Sequence, residues 1–261
     1  MRILASDLDG TLVEFDHISE ENLNGIKSLK DAGHKFIIST GRTYSAVTGL
    51  IDKYNIDYDY LVLCNGGQII NSKNEIVYDE WINKEVSRKI VEEYCENENF
   101  LMYVDNSEQT YLINNHKVDP SIIDKILNMF GKRVELIELD KVNEKYKIMA
   151  IFSIEKDFEK AEVMKNEIVE KYGDYVQAYR NQFFVDVVPK GCSKGEALLR
   201  VLELENISKD NLYVVGDSFN DISMFNITNN SYTFNHAEDG VKGHANGLVD
   251  YVHEVIKNIL D

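Results

Sequence analysis

Three apolar runs in this chain each end in a polar loop that carries a glycine, and this recurrence narrows the fold more than any other feature. Met1-Arg2-Ile3-Leu4-Ala5 leads into Ser6-Asp7-Leu8-Asp9-Gly10-Thr11. Lys35-Phe36-Ile37-Ile38-Ser39 leads into Thr40-Gly41-Arg42, and Leu212-Tyr213-Val214-Val215 into Gly216-Asp217-Ser218-Phe219-Asn220-Asp221. Short continuous apolar runs read as strands buried on both faces. Helical spacing separates them. Ser19 reads as an N-cap, Glu20 and Glu21 suit the positive end of a helix dipole, Leu23, Ile26 and Leu29 form a stripe, and Gly33 stops the helix. A second helix carries Ala46, Val47, Leu50 and Ile51. A further strand, Tyr60 to Cys64, ends at Asn65-Gly66-Gly67. Strand and helix in alternation predict an α/β, Rossmann-like parallel sheet covered on both faces.

The middle of the chain breaks that rhythm. From about Ile82 to about Phe184, helices mix with closely spaced strands. A helix from Asp157 to Lys171 places Phe158, Ala161, Met164 and Ile168 on one face. Strands near Tyr175–Tyr179 and Phe183–Val188, separated by Arg180-Asn181-Gln182, predict a hairpin. The parallel pattern returns after Pro189, with a helix from Ser193 to about Leu204 and a last helix bearing Val249, Val252, Ile256 and Ile259. The expected division is a core of residues 1–81 and 187–261 with an inserted α+β cap domain, 82–186.

In open parallel sheets, ligands bind beyond the carboxyl ends of the strands, so the three loops are expected to converge. Asp7 and Asp9 stand two apart and share one side of an extended chain. With Asp217 and Asp221 added, the carboxylates repel one another unless a cation neutralises them. Hard oxygen ligands beside a phosphate select Mg2+. Ser193 and Glu196 fit a capping box that puts Lys194 in the first turn of its helix, where its ammonium adds to the positive dipole end. Thr40 is expected just before a helix start, where a hydroxyl and backbone N–H groups suit a phosphate. Arg42 reads equally as a salt-bridge partner or a substrate contact. Cys192 reads as a bystander thiol, His116, His236 and His244 lack metal-ligand spacing, and Trp81 reads as packing.

Charge limits the partners. With 28 basic and 45 acidic residues among 261, the net charge is −17, which repels nucleic acid and anionic membranes but leaves small phosphorylated molecules open. Three widely spaced cysteines argue against a disulfide framework or a zinc site. Asp7 and Asp9 interrupt the first apolar stretch, so no leader is read there, and a cytoplasmic location is expected. No segment points to an obligatory protein partner.

A D-x-D-x-T match alone carries little weight. Taken in order with Thr40-Gly41-Arg42, Asn65-Gly66-Gly67, Lys190-Gly191-Cys192-Ser193-Lys194-Gly195 and the Gly216–Asp221 loop, it gives a chain that resembles the haloacid dehalogenase superfamily over nearly its whole length. Within that superfamily it looks like the Cof-type phosphatases with a type IIB cap. The resemblance implies hydrolysis of small phosphorylated metabolites, sugar phosphates being the expected class, through an aspartyl-phosphate. It implies Asp7 as nucleophile and Asp9 as proton donor and then base. It implies Thr40, Gly41 and Lys194 as phosphate-binding residues. Mg2+ would be held by Asp7, the Asp9 carbonyl and Asp217, with Asn220 and Asp221 as orienting groups, and Arg42, Asn65 and Gly66 as substrate or hinge positions. A domain inserted between Asn65-Gly66-Gly67 and the Lys194 loop, anchored there by two chain crossings, is expected to close like a lid over molecules of metabolite size. The chain departs from the family pattern at Ile222–Asn230 and near Asn235-His236-Ala237, outside those positions. A phosphotransferase of the mutase type and a non-catalytic phosphometabolite sensor are the competing readings.

Overall fold

The computed structural model describes residues 1–14, 17–130 and 134–261. The chain folds as two compact units, residues 1–79 with 192–261 and residues 80–191.

The first unit is built on an eight-stranded sheet in the order Gly247–Val249, Asn230–Phe234, Leu212–Val215, Ile3–Ser6, Lys35–Ser39, Tyr60–Leu63, Gln68–Asn71, Ile76–Asp79. The first six run parallel. The last two add an antiparallel edge. Ile3, Leu4, Ala5, Ile37, Ile38 and Leu61–Leu63 are fully buried, as strands covered on both faces must be. The helices are capped as their sequences dictate. Ser19 accepts from the Asn22 N–H ahead of the helix Glu20–Asp31, and Ser193 accepts from the Glu196 N–H ahead of the helix Lys194–Glu205. Ile3–Ser6 pairs with Lys35–Ser39 on one side and Leu212–Val215 on the other, which brings their C-terminal loops side by side.

The second unit has a six-stranded sheet in the order Val176–Asn181, Phe184–Pro189, Ile148–Ser153, Phe100–Asp105, Thr110–Ile113, Val134–Ile137. Side chains alternate across it. Phe100, Met102 and Val104 pack with the helices Lys84–Tyr94 and Phe158–Tyr172, while Leu101 and Tyr103 face the other way, into a cluster with Ile123 and Ile126.

Several sequence expectations shift. The hairpin turns at Gln182-Phe183, because Asn181 pairs with Phe184 and Gln182 takes a φ of +53°, so strand pairing absorbs Arg180 and Asn181. Phe158 is 42% exposed at the helix start and lies alongside Phe183, leaving Ala161, Met164 and Ile168 as the buried stripe. Val249 belongs to a strand, not to the last helix, which is Val252–Leu260. The helix after Thr40 starts only at Tyr44 with Thr43 as its N-cap, so Thr40 is not at a helix terminus.

Candidate active site

The centre of the site is a buried lysine. Lys194 opens its helix, is wholly buried, and donates from Nζ to Asp7 Oδ1 and to Asp221 Oδ1, each at 2.6 Å. Its ammonium is therefore matched by two carboxylates, a pairing that the dipole argument did not include. Asp7 is the residue after the strand Ile3–Ser6, and its N–H continues the ladder to Val215 O at 2.9 Å. Asp221 does two jobs. Its Oδ1 meets Lys194, and its Oδ2 accepts from the Asp217 and Ser218 N–H groups at 3.0 Å each, folding that loop around itself. Asp217 completes the group, its Oδ1 accepting from Thr11 Oγ1 at 2.8 Å.

Oxygens of Asp7, Asp217 and Asp221 lie within 4.8 Å of one another. Three carboxylates against one ammonium leave two negative charges uncompensated in a buried space. Proton affinities register the strain. Burial raises the Asp7 carboxyl well above its ordinary range and outweighs the attraction of Lys194, with Asp221, Asp217 and Asp9 adding to the rise. Burial, then Asp221, pushes Asp217 up to about 6. Burial alone would lower Lys194, but the charges of Asp221 and Asp7 prevail and raise it. An all-oxygen donor set with a charge deficit of two suits a hard divalent cation. Asp7 and Asp217 are the better placed to hold it, since both Asp221 oxygens already accept hydrogen bonds.

Asp9 stands apart from this cluster. Its carboxylate forms a bidentate pair with Arg42, Nε to Oδ2 at 2.8 Å and Nη2 to Oδ1 at 2.5 Å. The group facing it is a cation, where a neighbouring carboxylate was expected. Thr40 is buried at the end of the adjacent strand, and its hydroxyl accepts from the Arg42 N–H at 3.2 Å. Gly41 lies between them, partly buried. Asn65 is fully buried in a left-handed conformation and accepts from Asn220 Nδ2 at 3.1 Å. Gly66 has φ +93°, and a Cβ there would meet Ser193 O at 2.1 Å, so only glycine lets this loop reach the start of the Lys194 helix. Thr11 is the residue whose contact the sequence reading missed. It was visible as the last member of Asp7-Leu8-Asp9-Gly10-Thr11, but nothing local shows that its hydroxyl reaches across 206 positions to Asp217.

The sequence pattern of the haloacid dehalogenase-like hydrolases matches residues 4–258. The 5-amino-6-(5-phospho-D-ribitylamino)uracil phosphatase YwtE of Bacillus subtilis strain 168 is 27% identical over 266 residues, 93% of this chain and 90% of that protein. Phosphatase YwpJ of the same organism is 25% identical over 274 residues, 95% and 94% of the two chains. Among solved structures, SMU.1108c from Streptococcus mutans UA159 superposes with a TM-score of 0.86 at 24% identity, covering 99% of this chain and 98% of that one. The HAD subclass IIB sugar phosphatase BT4131 superposes with a TM-score of 0.81 at 19% identity, again covering 99% and 98%. These two structures share the fold.

Proposed function

The chain belongs to the haloacid dehalogenase-like hydrolases, and from that premise we propose that it is a Mg2+-dependent phosphatase of small phosphorylated metabolites, sugar phosphates foremost. The observation that carries the reading is the buried cluster of Asp7, Asp217 and Asp221 around Lys194, which is two positive charges short of neutrality when its carboxyls are ionised. The names of the relatives support the substrate class: one hydrolyses a phosphorylated ribitylamino compound, and BT4131 is described as a sugar phosphatase.

The roles proposed for the residues are those that the family resemblance implies. Asp7 attacks phosphorus through a carboxylate oxygen and forms an aspartyl-phosphate, dividing one difficult displacement into two easier ones. Lys194 holds that carboxylate in place and offsets charge on the transferring group. Asp9 supplies the proton to the leaving oxygen and then takes one from water. Thr40 and Gly41 contribute to the phosphate cradle, Asn220 and Asp221 orient the loop and Lys194, and Asn65 and Gly66 are substrate or hinge positions, Asn65 accepting from Asn220 and Gly66 lying against Ser193. Mg2+ held by Asp7, the Asp9 carbonyl and Asp217 would supply charge neutralisation at the phosphoryl oxygens.

The test is phosphate release from a panel of phosphorylated metabolites, measured after EDTA treatment and after Mg2+ or Ca2+ is restored. Turnover is expected with Mg2+ and to be poor with Ca2+, which prefers a larger and looser shell. Full activity in metal-free protein would sink the metal assignment. Phosphate release from a single substrate excludes a pure phosphotransferase, and any turnover excludes a sensor.

A further inference from the structure

Asp9 is held by another part of the chain. Its backbone is fixed locally, with the Gly10 N–H donating to Val13 O at 3.0 Å and the Thr11 N–H to Leu8 O at 3.4 Å. Its side chain is 45% exposed, against 7% for Asp7. A carboxylate that open would rotate among solvent-facing positions. Arg42 removes that freedom through two parallel N–H···O bonds, which fix the plane of the carboxylate as well as its distance. The guanidinium is itself steadied from behind. Arg42 Nη1 reaches Ala46 O at 3.4 Å, its N–H donates to Thr40 Oγ1, and its carbonyl accepts from the Cys64 N–H at 3.0 Å. The orientation of Asp9 is thus inherited from the loop of the neighbouring strand, 33 positions along the chain.

With both oxygens held by one guanidinium, the position and plane of the Asp9 carboxylate are fixed. The geometry points to Arg42 as the positioning residue that holds Asp9 for the second half of the reaction, hydrolysis of the phospho-aspartate; this rests on the phosphatase reading above. In that half a water oxygen bonds to phosphorus, and the bond from phosphorus to the Asp7 oxygen breaks with its electron pair returning to the carboxylate. The water proton passes to an Asp9 oxygen, and inorganic phosphate leaves. The first half, with p-nitrophenyl phosphate as the ester, needs little proton donation because the nitrophenolate leaves unaided. Loss of Arg42 therefore slows the second half selectively with that substrate.

The experiment is rapid-quench kinetics on wild type, Arg42→Gln and Arg42→Lys with radiolabelled p-nitrophenyl phosphate and Mg2+. Arg42→Gln is expected to slow dephosphorylation about tenfold or more, a share of the full general-base contribution. Phosphorylation of the enzyme should stay within about threefold of wild type, so labelled protein accumulates in the steady state. Arg42→Lys reaches one oxygen but cannot fork, so it should fall between the two, and it carries the test if Arg42→Gln does not fold. A salt bridge of purely structural worth would lower Tm without changing the labelled fraction. An unchanged labelled fraction, phosphorylation slowed as much as dephosphorylation, or faster turnover that marks the pair as a brake would each overturn the inference. A wild type that takes no label, together with an active Asp7→Asn, would remove the covalent reading itself and this inference with it.

Discussion

At Asp7 and Asp217, single side chains carry a cost that folding alone does not remove. Both carboxyls resist ionisation in the folded chain, Asp217 up to about 6 against an ordinary value of 3.8. The unfolded chain therefore ionises first as pH rises. For Asp217 the contribution to stability is fully present below about pH 4 and is lost as pH climbs through about 6, and the raised Asp7 carboxyl acts in the same direction. For Asp217 the loss is on the order of 3 kcal/mol, from a shift of roughly two units at ~1.4 kcal/mol each. The metal-free protein is thus expected to melt at a lower temperature at pH 7 than at pH 5. Added Mg2+ should raise Tm at pH 7 much more than at pH 5, because binding needs the carboxylates deprotonated. Asp217→Asn should flatten both effects. A metal-free Tm that rises from pH 5 to pH 7, with no Mg2+ effect, would show that this cluster holds no ion. Asp7→Asn should form no phosphoenzyme, and normal turnover in that variant would end the nucleophile assignment.

At the scale of loops and strands, the close approach of Gly66 to Ser193 ties the loop after Tyr60–Leu63 to the start of the Lys194 helix. Gly66→Ala would force a positive φ on alanine and drive its Cβ into a backbone oxygen that cannot yield without moving Lys194. Gly33, at φ +77° with no atom of the described residues within 4 Å of an added Cβ, is the control. Gly33→Ala should cost about 1–2 kcal/mol of backbone strain and leave kcat alone. Gly66→Ala should cost clearly more in urea titration and lower kcat by at least about tenfold, through a displaced Lys194. Equal effects in the two variants would show that the loop contact does not set the site. The same scale explains what the sequence revealed. Ile3–Ser6, Lys35–Ser39, Tyr60–Leu63 and Leu212–Val215 were legible because burial on both faces leaves an unbroken apolar run. Asn230–Phe234 was not, since Ser231 and Thr233 are wholly buried yet polar, and they erase the pattern. Ile76–Asp79 is an exposed edge strand with no buried face to impose one. Asp7, Lys194, Asp217 and Asp221 could be named from their motifs, but the Arg42 fork on Asp9 depends on tertiary placement that no local spacing encodes.

At the scale of the whole molecule, the two units differ in how their chain is laid out, and this sets an order of folding. Residues 80–191 form one continuous stretch with its own apolar clusters, including Ile90, Val104, Met149, Ile168 and Val187 on one face of its sheet. The other unit must pair Ile3–Ser6 with Leu212–Val215, bringing together segments from opposite ends of the chain. Closing so long a loop costs entropy that grows with its length, and non-local strand pairing is slow. The continuous unit should therefore fold first and fold alone. Trp81 is the only tryptophan and lies in that unit, with the Lys147 ammonium 3.7 Å from its ring centroid, so its fluorescence reports on that unit. Every residue assigned a catalytic role lies in the other unit, so phosphate release reports on that one. On dilution from urea, Trp81 fluorescence should recover before activity does, and a fragment of residues 80–191 should unfold cooperatively with a stability of about 5–15 kcal/mol. Simultaneous recovery of both signals, or a fragment without a cooperative transition, would mean that the inserted unit needs the rest of the chain to fold.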